Sequence, residues 1–403
     1  MHSTTAVKAD LQVMPRKVAS RWPMHEADEI AAAVQVLQSG RVNALVHGDE
    51  TRGFEKEFSE FIGMPFACAV ANGTVALELA LRALGVGPGD EVIVPARSFF
   101  ASVSCVLAVG AEPVFADVLL DTQNIDPASV ARMISPRTRA VICVHLAGKP
   151  CDMDALVPLC KDHGIALIED CAQAHGATYR GQQVGSFGDC SAFSFCTDKI
   201  MSTGGEGGIA LFRTHEAWET AFAYKDHGKN PVKMRAPAIG APGEFRFTHD
   251  SFGSNFRLTE LQAAIGRVQL TKLPRWLETR RANAARLMAA LDKLPGLIVD
   301  PVPDVSESAW YKFYVRVDPA RLPRGMTRSD VLAGLIARGI QCGSGSCPDM
   351  SREGAFGTAN PRRDGELVCA RELGGTTIML PVDHLLTTED IDAMIAAFQE
   401  VLA

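Results

Sequence analysis

The chain has 403 residues, 47% hydrophobic and 22% charged, with a formal charge of −7. That length predicts two domains rather than one, and without any long block of Lys or Arg the composition excludes the electrostatic footprint of a nucleic-acid binder. Eleven cysteines, an odd number with no C-x-x-C pair, argue against a disulfide framework or a zinc site; with no signal-peptide pattern and no membrane-length apolar run, they predict reduced thiols in a soluble, cytoplasmic protein without metal.

In chain order, Glu26–Gln38 reads as a helix ending at Gly40, and the polar stretch "GRVNALVHGDETRGFEKEF" that follows reads as part of an N-terminal arm. From about residue 66 to 212, short apolar runs alternate with helical periodicity. The runs are Phe66–Ala71, Glu91–Pro95, Pro113–Ala116, Ala140–Val144, Ile165–Ile168, Ala192–Phe195 and Gly208–Phe212; Val75–Leu84 and Asp154–Asp162 are among the helical stretches. This alternation predicts an α/β fold with a mostly parallel sheet flanked by helices, in which ligands collect at the carboxyl ends of the strands. Lys229–His249, with three prolines and two glycines and no sustained period, predicts a long irregular excursion. Thr259–Leu291 is strongly helical, with a kink or break expected near Pro274. Beyond it, "KFYVRV", "IQC" and "TIMLP" predict strands between helices Arg328–Arg338 and Thr388–Leu402, a smaller C-terminal α/β domain. The expected division is 1–50 for the arm and its helix, 51–270 for the large ligand-binding domain, and 271–403 for the linking helix and small domain.

Four stretches carry the chemistry. In "SAFSFCTDKIMSTGGEGGIA" a buried strand is followed within five residues by Lys199 and a Gly-rich turn. A lysine placed there can be partly desolvated, which favours the neutral amine that imine formation with an aldehyde requires. Alone, Lys199 would far more often be an ordinary cation on a solvated turn. In "IALIED" and "CAQAHGA" a strand delivers Glu169 and Asp170, then Gln173 and His175. A carboxylate at such a strand end can keep a heteroaromatic nitrogen protonated, making the ring an electron sink. Asp170 alone would serve as a helix N-cap, and Gln173, which can reach a phenolic oxygen of the same ring, would alone be a surface residue. In "VANGTVALELAL" a strand ends at Ala71–Asn72, and Gly73 and Thr74 open a helix whose exposed N–H groups and dipole suit a phosphate. Just after the strand Glu91–Pro95, Phe99 can cover a flat ring, although a lone Phe is more often core. Individually weak, these signals occur together at strand ends in the order phosphate site, ring stack, ring carboxylate and lysine, and together they point to pyridoxal 5'-phosphate.

At these residues the sequence resembles the DegT/DnrJ/StrS family, sugar aminotransferases of fold type I. The likeness runs through "ANGTVALELALRALGVGPGDEVIVPARSFFAS", "GAEPVFADV", "NIDP", "VHLAGKPCDMDAL", "IEDCAQAHGA", "GSFGDCSAFSFCTDK", "GGEGG", "SNFRLTELQAAIGRVQL" and "MLPV". The resemblance implies a Schiff base on Lys199, with Asp170 at the pyridine nitrogen, Gln173 beside the ring oxygen and Phe99 stacked on the ring. It also implies Gly73, Thr74 and Ser194 around the phosphate, and Asn255 reaching the phosphate of a neighbouring subunit in a homodimer with shared active sites. It further implies an amino donor, L-glutamate, and a keto group on a nucleotide-linked sugar as acceptor. A cyclic ketone of aminocyclitol type is the alternative. A sugar dehydratase, whose relatives carry histidine at the lysine position, and a non-catalytic regulator fit less well. The sequence departs from the family at Ala147 and Lys149, where many relatives have a "HLYGQP"-like turn, and at "CGSGSCPDM" in the small domain. Lys149, His227, Lys229, Arg257 and Ser344 are the candidate substrate contacts.

Overall fold

The computed structural model describes residues 17–236 and 244–403. Its centre is a seven-stranded sheet of β1 (Phe66–Val70), β2 (Glu91–Pro95), β3 (Glu112–Ala116), β4 (Thr138–Val144), β5 (Ala166–Asp170), β6 (Cys190–Ser194) and β7 (Gly208–Phe212). The spatial order is β1-β7-β6-β5-β4-β2-β3, and only β7 runs against the others. Successive residues serve opposite faces, as strand geometry requires. Ile93, Val141 and Leu167 are in register across β2, β4 and β5 and enter one core; Val92, Ile142 and Ile168 enter the core on the other face. Helices cover both faces, which is why these strands read as continuous apolar runs.

The seven strands predicted between residues 66 and 212 all exist, with ends shifted by a residue or two. The most useful shift is in β5, which runs through Asp170, so Glu169 and Asp170 belong to the strand itself. Because β1, β2, β4, β5 and β6 run the same way, Gly73, Phe99, Asp170 and Ser194 arrive on one rim of the sheet.

Three expectations change. The stretch after Gly40 is largely a helix, Asp49–Ile62, with Phe54, Phe58 and Ile62 buried at helical spacing. It lacks a local cap because its first N–H groups are capped from afar: the Glu260 carboxylate accepts from the backbone of Glu50 (2.8 Å) and Thr51 (3.0 Å). The helix Glu260–Leu291 runs unbroken past Pro274. Proline there removes one intrahelical hydrogen bond, and the burial of Leu273, Trp276 and Leu277 around it keeps the helix continuous. The helix therefore spans the expected boundary at residue 270. Finally, "IQC" forms no strand: Ile340 makes a single bridge to Val18 of the arm, and Gly343 another to Met379.

The C-terminal part is an antiparallel sheet of β8 (Leu297–Ile298), β9 (Phe313–Val317) and β10 (Thr377–Leu380), covered by helices Arg328–Ala337 and Thr388–Leu402. Its core joins Val315, Leu335, Ile378 and Phe398 to Leu287 and Leu291 of the long helix. In the excursion, Lys229 bridges to His249 and Pro231–Arg235 forms a short helix, while residues 237–243 lie outside the described residues.

Candidate active site

A cleft of about 920 Å³ opens between the sheet rim and the C-terminal sheet. Gly73, Thr74, Phe99, Asp170, Gln173, Ser194 and Lys199 all line it.

At one end, the helix Gly73–Ala83 begins against β6. Asn72 caps it by accepting from the Val75 N–H (3.0 Å), which leaves the N–H groups of the first turn facing the cleft. A Cβ at position 73 would lie 2.6 Å from Ser194 Cβ and 3.1 Å from its Oγ, so only glycine allows this approach. The result is a hydroxyl beside a helix N-terminus, a cradle for a phosphate-sized anion.

Mid-cleft, Asp170 is buried; its Oδ2 accepts from Ser102 Oγ (3.0 Å) and its Oδ1 from the Ala172 N–H (3.1 Å). It has no ion-pair partner among the described residues. Burial raises its pKa despite those two hydrogen bonds. A buried carboxylate on an open cleft, with no direct ion pair, suits a protonated ring nitrogen. Gln173 Oε1 accepts from the Ala147 N–H (2.7 Å), which commits its carbonyl and leaves its NH2 as the donor for a ligand. Phe99 is 67% exposed, an aromatic face turned to the cleft rather than the core. His175 stays out of the cleft. It packs on Phe193 and Phe195 in the core, and burial pushes its pKa down to about 3, so it is neutral.

Lys199 Nζ lies 3.5 Å from the Tyr311 hydroxyl and 3.9 Å from Asp198 Oδ1. Tyr311 in turn donates to Asp198. Burial first, and the Asp198 carboxylate second, hold the Tyr311 phenol protonated, well above its usual range. From behind, the Trp22 indole N–H donates to the Lys199 carbonyl at 2.6 Å. Sequence reasoning missed Tyr311, Asp198 and Trp22: they meet Lys199 only through folding, although Asp198 stood next to it in the chain.

The remaining candidates are elsewhere. Lys149 is buried with Nζ on the Asp300 carbonyl (3.3 Å), linking the two parts of the chain rather than facing the cleft. Arg257 is engaged by Asp226 at 2.6 Å. His227, with φ of 61°, and Asn255 are exposed, and neither they nor Lys229 line this chain's cleft. Ser344 is exposed; its neighbour Ser346 lines the cleft and pairs with the Tyr314 hydroxyl at 3.2 Å.

The chain is similar to known proteins over nearly its whole length. The profile of the DegT/DnrJ/EryC1/StrS aminotransferase family matches residues 23–399. The X-ray structure of an aminotransferase from Psychrobacter cryohalolentis superposes with a TM-score of 0.92 at 43% identity, covering 95% of this chain and 98% of that one. The dTDP-3-amino-3,4,6-trideoxy-alpha-D-glucose transaminase of Streptomyces venezuelae is 38% identical over 78% of this chain and 76% of its own length. The L-glutamine:2-deoxy-scyllo-inosose aminotransferase of Streptomyces fradiae is 37% identical over 94% and 93%.

Proposed function

The chain belongs to the DegT/DnrJ/EryC1/StrS aminotransferase family, and we propose that within it the chain moves an amino group from L-glutamate to the keto group of a nucleotide-linked sugar, with Lys199 as the catalytic amine. It is a pyridoxal 5'-phosphate enzyme. The observation that carries the residue assignment is the arrangement of Lys199, the unpaired buried Asp170 and the Gly73–Ser194 cradle around one cleft.

These residues fit the cofactor. The N–H groups at Gly73 and Thr74 and the Ser194 hydroxyl bind its phosphate, Gln173 orients its ring oxygen, and Phe99 covers one ring face and excludes water from it. When bound, pyridoxal phosphate supplies an electron sink and a carbon that carries nitrogen from one substrate to the other. Asp170 holds a proton on the ring nitrogen, and ion pairing with that cation offsets the burial of its charge. Lys199 would hold the cofactor, and its amine would move the proton between the donor α-carbon and the cofactor side. Tyr311, itself fixed by Asp198, positions that amine.

The test is Lys199→Ala. Turnover should fall by at least about a thousandfold, together with the visible absorbance of covalently held cofactor; retained turnover would sink the assignment.

A second acceptor class, cyclic ketones of the aminocyclitol type, is favoured by the likeness to the inosose aminotransferase over 94% of this chain. Loading the enzyme with amine and then offering keto-sugar nucleotides and cyclic ketones in parallel separates the two.

We also place the enzyme in the cytoplasm as a homodimer. No helix among the described residues is long and apolar enough to cross a membrane. Phe245 and Phe247, in edge contact at 5.1 Å, and Phe252, three residues before Asn255, are 73%, 85% and 98% exposed and would offer apolar surface to a second copy. Asn255, exposed and outside its own cleft, then reaches the partner's cofactor phosphate. Sedimentation at micromolar concentration checks the dimer.

A further inference from the structure

Among the described residues, two cations line the cleft, Lys199 and Lys312. Lys199 is committed to the cofactor. Lys312 is half-buried and makes no hydrogen bond or ion pair among the described residues; its Nζ lies over the Tyr311 ring, 4.7 Å from the centroid. Lys199 Nζ lies 4.8 Å from the same centroid, so both amines serve one end of the cleft.

The strand that follows sets where Lys312 stands. Phe313 and Val315 of β9 enter the C-terminal core, while Tyr314 between them lines the cleft with Met379, its cross-strand neighbour. Side chains alternate along a strand, so Lys312, one residue ahead of β9, falls on the Tyr314 side. Burial is the largest influence on its ammonium and disfavours the charged form. Asp198 and Asp383 attract it, and Arg280 and Lys199 repel it. Asp198 is already engaged, accepting from Tyr311 and standing 3.9 Å from Lys199. An anion arriving with a ligand would therefore meet an ammonium that has no carboxylate of its own in contact.

The reaction narrows what that anion is. A dicarboxylic amino donor carries both acid groups within a few bonds of the amine it gives up, so they must rest near Lys199 when the α-proton moves. The cleft's own carboxylates, Asp170, Asp198 and Glu206, repel them, which leaves Lys312 as the one uncommitted cation on the described lining. In a nucleotide-linked sugar the diphosphate is set apart from the keto carbon by the sugar ring, and it calls for several donors rather than one ammonium.

We propose that Lys312 is a specificity-determining residue that binds a carboxylate of the amino donor beside Lys199. The assignment rests on the reading of this cleft as a transaminase site.

The holoenzyme is titrated calorimetrically with three amines that carry no hydrogen on the amine-bearing carbon and so cannot give up an α-proton. α-Methylglutamate has both acid groups, 2-aminoisobutyrate only the one next to the amine, and 4-amino-4-methylpentanoate only the distal one. Lys312→Met should weaken α-methylglutamate by roughly tenfold to a hundredfold, with visible absorbance confirming that the cofactor is still loaded. A matching loss with 2-aminoisobutyrate assigns the carboxylate next to the amine; a matching loss with 4-amino-4-methylpentanoate assigns the distal one. Lys312→Arg keeps the charge and should recover most of the affinity, which a role in packing alone would not produce. Should the methionine variant fail to load cofactor, Lys312→Gln carries the same test. Equal affinity of wild type and the uncharged variant for α-methylglutamate, or no binding of it by the wild type, overturns the proposal. Amine transfer from L-glutamate by the wild type is measured separately, so failure of the transaminase reading shows there and not in the binding data.

Discussion

The two walls of the cleft are built differently. On the sheet rim, Asp170, Ser194 and the start of the Gly73 helix are set by adjacent strand ends, and the polar groups there are anchored by the protein itself: Asp170 by Ser102 and Ala172, Gln173 by Ala147. On the opposite wall, the Tyr314 hydroxyl meets Ser346 from a segment some thirty residues further on, and Lys312 forms no direct ion pair among the described residues. The first wall is a finished seat for one invariant ligand. The second is unfinished, and its missing partners describe what a substrate must bring.

The contrast can be broken or sharpened by substitution. The largest effect is expected on the finished wall. Asp170→Asn should lower turnover by about a hundredfold to a thousandfold, as loss of a preorganised charge does. It should also have the opposite effect on cofactor-free protein. Because burial raises the Asp170 pKa, folding disfavours the ionised form, a penalty present at neutral pH and lost as pH falls through the folded and then the unfolded pKa. Cofactor-free Asp170→Asn should therefore melt about a degree or two above wild type at pH 7. The gap should close on acidification in a pH series of thermal scans. Next, Gly73→Ala forces a Cβ against Ser194 and should weaken cofactor binding by about tenfold to a hundredfold, read by absorbance titration of the apoenzyme. Tyr311→Phe, which removes the hydroxyl between Asp198 and Lys199, should slow turnover by about three- to tenfold with cofactor content unchanged. Smallest of all, Ser344→Ala, on an exposed side chain outside the cleft, should change KM by less than about twofold; a larger change would mean that the unfinished wall extends past Ser346.

What could be read from the sequence follows the same division. Strand ends are local, so the alternation of apolar runs was enough to bring Gly73, Phe99, Asp170, Gln173, Ser194 and Lys199 to one rim, all of which line one cleft. Contacts made at long range were not legible. The helix at Asp49 is capped by Glu260, the Lys199 amine is approached by Tyr311, and "IQC" is too short between glycines to hold a ladder, so it bridges residues far away in the chain. The spacing of Phe54, Phe58 and Ile62 was a helical signal within the polar stretch and could have been taken. Lys149 and Arg257 looked like substrate cations because their partners, the Asp300 carbonyl and Asp226, cannot be inferred from charge alone.

The bond from the Trp22 indole to the Lys199 carbonyl gives the chain an optical gauge of its own. Trp22 sits edge-on to Trp276 at 5.2 Å and to His384 at 4.9 Å, and is one of four tryptophans. An indole excited next to an absorbing ring passes its energy to that ring. Emission from Trp22 should therefore dim as the cleft fills and recover as it empties, so the arm that ties down the lysine also reports, without any label, whether the site is loaded.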